Sequence, residues 1–162
     1  MKTSTQLAYR VAHNPLYLIA FGFGSGLMPV APGTFGTLAA VPIYACVAAL
    51  PLWGYAVFLL GTFLLGVWVC DYVSKALKVH DYPGIVWDEC VGYWITMTGL
   101  PMTWQWMLAG FLMFRVFDIF KIGPIRAVDR YVRNGLGIML DDVLAGAAAC
   151  LVLHALKGGL GL

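Results

Sequence analysis

The chain has 162 residues, 61% of them apolar and only 11% charged, with a mean hydropathy of +0.83. A soluble domain carries about 25% charged residues, so the composition excludes an ordinary water-soluble globule and points to one membrane-embedded domain covering 1–162. The net charge of +2 comes from ten basic residues spread along the chain, which excludes the dense basic face that a nucleic-acid partner needs.

Residues 1–13 read as a flexible or peripheral N-terminal segment. They do not introduce a secretory signal peptide, because the apolar stretch after Lys2 and Arg10 is broken by Asn14-Pro15 and several glycines. From Val11 to Cys70 there is no Asp, Glu, Lys or Arg. Within that run, residues 16–35, LYLIAFGFGSGLMPVAPGTF, hold too much Gly and Pro for a straight helix and predict a looped or re-entrant segment. Residues 37–50 predict a helix with Pro42 inside it, 51–54 a turn, and 55–77 a longer helix. A polar connection follows, KVHDYPGIVWDE, residues 78–89. The second uncharged run, Val91 to Phe114, is interrupted by Gly99-Leu100-Pro101 and predicts a helical hairpin. A polar region, 115–142, precedes a last helix of about 143–157. The fold class is therefore all-α: a small integral-membrane bundle with short or re-entrant helices and a polar face on the cytoplasmic side. Cys46, Cys70, Cys90 and Cys150 have no CxxC spacing and read as free thiols.

Orientation follows from counting charges. With 37–70 and 91–114 as hairpins and 143–157 as a single crossing, nine of the ten basic residues share one side and only Lys157 lies opposite. The positive-inside rule makes the crowded side cytoplasmic. The same arrangement gathers all eight acids there: Asp71, Asp81, Asp88, Glu89, Asp118, Asp129, Asp141 and Asp142.

Three acidic groups stand in apolar settings: Trp87-Asp88-Glu89-Cys90, Phe117-Asp118-Ile119 and Leu140-Asp141-Asp142-Val143. Singly, each has an ordinary explanation. Asp88 could cap a helix, Asp141 and Asp142 could complement a helix dipole, and Asp118 could pair with Arg115 or Lys121 on the same helix face. Together, carboxylates that converge repel one another unless a cation lies between them, and Mg²⁺ is the usual partner of carboxylates and phosphate. Lys121, Arg115 and Arg126 follow the same rim as candidate phosphate partners. The glycine-rich run 22–37 ends where a helix begins, with Thr34 and Thr37 as caps, and its amides could bind an anion. Close packing of membrane helices accounts for those glycines equally well.

Taken together, GFGSGLMPVAPGTFGTLAAVP, VHDYPGIVWDECVGYWIT, FRVFDIFKIGPIRAVDR and GLGIMLDDVLAG, in this order over roughly residues 14–146, resemble the phosphatidylglycerophosphatase A family of bacterial inner-membrane lipid phosphatases. The resemblance implies an all-helical bundle and Mg²⁺-dependent removal of the terminal phosphate from phosphatidylglycerophosphate, giving phosphatidylglycerol; the charge count above makes the protein multi-pass with its active site on the cytoplasmic face. Carried over by motif are Asp88, Glu89, Asp118, Asp141 and Asp142 as catalytic and metal-ligating acids, Lys121 as a catalytic and phosphate-binding cation, and Gly33, Thr34 and Thr37 as phosphate-binding. Arg115 and Arg126 join the phosphate set by residue type. The family places a proline directly after the lysine, whereas here Ile122-Gly123-Pro124 follows, which bears on where Lys121 points. Two other classes remain open at this stage: a cation channel or carrier with a carboxylate-lined mouth, and a non-catalytic membrane scaffold.

Overall fold

The computed structural model describes residues 2–80, 82–121, 132 and 134–159. Every regular element among them is helical: α1 (Lys2–His13), α2 (Pro15–Ala20), a 3₁₀ segment (Gly22–Leu27), α3 (Pro32–Val47), α4 (Leu52–Leu77), α5 (Trp87–Thr96), α6 (Trp104–Phe120) and α7 (Gly135–Gly159). The expected all-α bundle is what forms.

The bundle is organised around α5. Eight of its ten residues are buried, and α3, α4, α6 and α7 all pack against it. Its polar side-chain atoms tie it to those neighbours. Trp94 Nε1 donates to Ala40 O of α3 at 2.9 Å, Trp87 Nε1 to Thr62 O of α4 at 3.0 Å, and Thr96 Oγ1 to Gly146 O of α7 at 3.3 Å. Tyr55 of α4 donates its hydroxyl to Trp94 O at 2.6 Å. α5 and α7 cross where Gly92 faces Gly146, and a Cβ on Gly146 would overlap Gly92 O. Small residues at such a crossing let two backbones touch, the usual way helices associate in lipid.

α4 and α7, of 26 and 25 residues, are long and apolar enough to cross a bilayer. The outer faces support that environment. Leu60, Leu64, Trp68 and Tyr72 on α4, and Trp104, Leu108, Leu112 and Val116 on α6, all exposed, form stripes at i, i+4 spacing. A water-soluble protein does not present such continuous apolar faces. α5 has ten residues and, at 1.5 Å per residue, rises about 15 Å, half a hydrocarbon core. It is a half-length helix paired with α6 through the turn at 97–103, as the Gly-Leu-Pro interruption implied.

Element boundaries differ from expectation in several places: α2 forms inside the expected looped segment, α4 starts at Leu52 inside the expected turn, and α5 starts at Trp87 inside the expected connection. α3 starts at Pro32 rather than 37, because proline in the first turn loses no hydrogen bond and its fixed φ suits a helix. α6 continues through the expected polar region as far as Phe120. α7 starts at Gly135 rather than 143, so Asp141 and Asp142 lie nearly two turns inside it rather than at its start. Residues 2–13 form a helix, seated by Val11, which is 2% exposed.

Candidate active site

The acidic end of the bundle is where α3 and α5 begin, α6 finishes, and α7 is entering. Asp88 and Glu89 occupy the first turn of α5, where unpaired N–H groups and the positive end of the helix dipole favour carboxylates. Asp88 is not the cap; Val86 holds that position. α6 contributes Arg115 and Asp118 from its last two turns, and α7 contributes Asp141 and Asp142 from about 10 Å below its first residue. The opposite end carries the turns at 48–51 and 97–103, where His154 Nε2 meets Thr98 O at 2.9 Å and the Tyr44 hydroxyl donates to Leu100 O at 3.4 Å.

Of the five motif acids, three present donor atoms to one point, while Asp118 pairs with Arg115 and Asp141 with Lys121. Asp88, Glu89 and Asp142 each present a carboxyl oxygen, and these atoms lie within 4.8 Å of one another. The Asp88 carboxyl lies close to that of Glu89, and the Asp118 carboxyl close to that of Asp142. Two carboxyl groups can meet in this way only around a shared proton or cation. Asp88 and Asp142 are 7% and 3% exposed, so water does little to screen them. Burial pushes the Glu89 carboxyl well above its ordinary 4.5, and the neighbouring Asp142 charge adds to the effect. Glu89 Oε2 is buried and makes no hydrogen bond among the described residues.

That orphaned oxygen, within an all-oxygen donor set, is what a hard cation requires. Octahedral Mg²⁺ with bonds near 2.1 Å holds its donors roughly 3–4 Å apart, a modest contraction from the separations found here. Asp88, Glu89 and Asp142 therefore fit a Mg²⁺ site.

Two cations border the acids. Arg115 Nη1 pairs with Asp118 and lies 3.9 Å from Glu89 Oε1. This guanidinium is occupied by carboxylates, and its geometry is that of a clamp between α5 and α6. Lys121 Nζ donates to Asp141 Oδ2 at 2.7 Å. A continuing helix would have set Lys121 beside Asp118, but α6 ends at Phe120. Lys121 takes a left-handed conformation, φ 43°, which redirects its side chain to α7. A non-glycine residue pays about 1–2 kcal/mol for that backbone state. The ammonium is the more accessible partner, 26% exposed against 9% for the Asp141 side chain.

The glycine-rich segment reaches the acids by close packing. Gly33, in the first turn of α3, faces Glu89: a Cβ there would overlap Glu89 Oε1 and stand 3.2 Å from Arg115 Nη1. Thr34 and Thr37 are not caps, since Ala31 precedes the helix. The Thr34 N–H donates to Ala31 O at 3.0 Å, and the buried Thr37 hydroxyl donates to Gly33 O at 2.9 Å. Arg126, with Asp81, Asp129, Arg130 and Arg133, lies outside the described residues. One contributor escaped the sequence reading. Asp71 Oδ1 on α4 accepts the Gly135 N–H at 3.1 Å, fixing where α7 begins and hence the depth of Asp141 and Asp142. The two residues are 64 apart in sequence, with no local signal linking them.

Comparison with known proteins finds relatives over most of the chain. The family model for phosphatidylglycerophosphatase A matches residues 18–157. The chain is 46% identical over 142 residues to phosphatidylglycerophosphatase A of Escherichia coli (strain K12), covering 87% of this chain and 83% of that protein. It is 47% identical over 148 residues to phosphatidylglycerophosphatase A of Haemophilus influenzae, covering 89% and 90%. A putative phosphatidylinositol-3-phosphatase of Bacteroides thetaiotaomicron is 36% identical over 152 residues, covering 89% and 94%. No solved structure matches.

Proposed function

The chain belongs to the phosphatidylglycerophosphatase A family, and on that premise we propose that it hydrolyses the terminal phosphate of phosphatidylglycerophosphate, yielding phosphatidylglycerol and inorganic phosphate, with Mg²⁺ as cofactor. The observation that carries this reading is the meeting of Asp88, Glu89 and Asp142 within 4.8 Å, from two helices more than fifty residues apart, at a largely buried position. Such crowding is unstable without positive charge, and a phosphate monoester brought to it needs the same charge.

Asp88, Glu89 and Asp142 would hold Mg²⁺, whose charge would offset repulsion between the carboxylates and the ester and favour ionisation of a water. The residues of the chain do the rest. Arg115 holds Asp118 and the Glu89 carboxyl group in place from α6. Lys121, the accessible cation at the rim, stabilises charge developing on the phosphoryl oxygens, and Asp141 orients its ammonium. Water adds its oxygen to phosphorus, the P–O bond to glycerol breaks, and the departing oxygen takes a proton. A carboxylate of the cup accepts the proton that the water gives up. Gly33 serves by its lack of a side chain, leaving room for Glu89.

Location follows from charge. Among the described cations, Lys75, Lys78, Arg115 and Lys121 lie at the acidic end and Lys157 at the other. The positive-inside rule assigns the acidic end to the cytoplasmic face of a bacterial inner membrane crossed several times. Purified protein in mixed micelles with phosphatidylglycerophosphate tests the proposal. Phosphate is released with Mg²⁺, stops with EDTA and resumes when Mg²⁺ is restored in excess. Release indifferent to EDTA removes the metal from the account; no release in any condition removes the activity. Ion flux into liposomes without phosphate release would make the protein a carrier instead.

A further inference from the structure

A second concavity lies beside the acidic cup. A groove of about 890 Å³ runs between α1, the loop at 28–31 and the loop at 82–84, a volume within the roughly 300–1,000 Å³ of ligand pockets. Its walls include Leu7, Ala8, Leu27, Met28, Pro32 and Tyr82, and among the described residues no carboxylate lines it.

The groove adjoins the cup. Pro32 lines it, and the next residue, Gly33, backs onto Glu89, so consecutive residues form the partition between the two. Its floor is preformed. Gly26 and Gly84 meet backbone to backbone, the Phe21 and Tyr82 rings pack at a tilt of 44° with centroids 5.9 Å apart, and Val86 N–H donates to Ala20 O at 2.9 Å. Leu27 and Met28 on the wall and Val30 nearby are exposed, leaving an apolar rim around an apolar trough.

A phospholipid bearing a phosphate monoester has two parts with opposite needs: a polyanionic end and a hydrocarbon body. The cup meets the first and cannot hold the second. We propose that the groove receives the acyl-ester body of the phospholipid while its terminal phosphate sits in the cup. The inference rests on the lipid-phosphatase reading of the cup, and it does not depend on which alcohol carries the phosphate.

Ala8→Trp tests it, since Ala8 is exposed on α1 and a large side chain there fills the groove without entering the core. Kinetics are compared on diacyl phosphatidylglycerophosphate and on the same headgroup with both acyl chains removed. The variant raises KM for the diacyl substrate by about tenfold and leaves kcat/KM for the deacylated one unchanged. Equal effects on the two substrates, or none on either, overturn the proposal. A shift of the variant to a different oligomeric mass also overturns it, because the groove is then a contact between copies. A measurement on the unaltered chain is independent of turnover. A phospholipid carrying a diazirine in its acyl chain, photolysed in vesicles, labels the peptides containing Leu7–Ala8 and Leu27–Met28. Label confined to the outer stripes of α4 and α6 refutes the groove even if phosphatase activity is present. Label in the groove with no phosphate release from either substrate refutes the cup reading alone.

Discussion

Replacing Gly33 with alanine places a methyl group where Glu89 Oε1 already lies, with Arg115 Nη1 3.2 Å from the new atom. Extra volume in a packed site costs about 1–3 kcal/mol. The displaced atom is the end of a glutamate side chain, so relief comes by swinging that carboxyl away from Asp88 and Asp142 rather than by opening the bundle. Taken as a loss of metal affinity, about 1–3 kcal/mol is roughly 5- to 150-fold. The same change should favour α3 itself, since alanine is a better helix former than glycine by about 1 kcal/mol. The two effects have opposite signs and separate readouts. Half-saturating Mg²⁺ for phosphate release rises by roughly 5- to 150-fold, while thermal melting in EDTA is unchanged or higher. A folded Gly33→Ala protein with ordinary Mg²⁺ dependence would show that Glu89 is not placed by this contact.

Asp142→Asn keeps the shape of a buried ligand and removes its charge. Phosphate release falls by orders of magnitude in a protein that still melts cooperatively in detergent, and near-normal turnover would take Asp142 out of the site. Glu89 gives a pH signature. Its carboxyl is held above the ordinary 4.5 in the metal-free fold, so its contribution to stability is complete below that value and is lost as pH rises through the raised one. Melting temperature in EDTA therefore declines on raising pH above the ordinary glutamate range, and the gain on adding Mg²⁺ widens, because the metal replaces the proton. A gain independent of pH contradicts this. Lys121→Met and Asp141→Asn, separately and combined, form a cycle whose coupling in melting free energy is about 0.5–3 kcal/mol; additive effects would mean that the pair is incidental.

Much of the bundle was legible because apolar runs and their interruptions report directly on helices in lipid. Gly99-Leu100-Pro101 marked the turn between α5 and α6, and the long uncharged stretch before Asp71 marked α4. The acids were legible because charge is rare in this composition, so each one stands out. Boundaries were less so. Pro32 reads as a breaker in isolation and is a helix starter when it falls in the first turn. Gly135 and Gly137 hid the beginning of α7, whose start is set from outside by Asp71 and by the fit of Gly135 against Val67 O. Arg115 pairs with Asp118 as its spacing allowed, whereas the partner of Lys121 was the least accessible of all. Arg115 and Lys121 both follow apolar residues near a helix end, yet one stays helical and reaches Asp118 and Glu89, while the other turns left-handed and reaches Asp141. That difference depends on where α6 stops, which periodicity does not specify.

The central claim is that side chains from α5 and α7 share a divalent ion. Mn²⁺ titrated into the detergent-solubilised full-length chain, with free ion followed by electron paramagnetic resonance, tests it without reference to turnover. Saturable binding that Mg²⁺ displaces, weakened by about tenfold or more in each of Asp88→Asn, Glu89→Gln and Asp142→Asn, is the predicted result. Binding that is absent from the unaltered protein, or identical in all three variants, contradicts it.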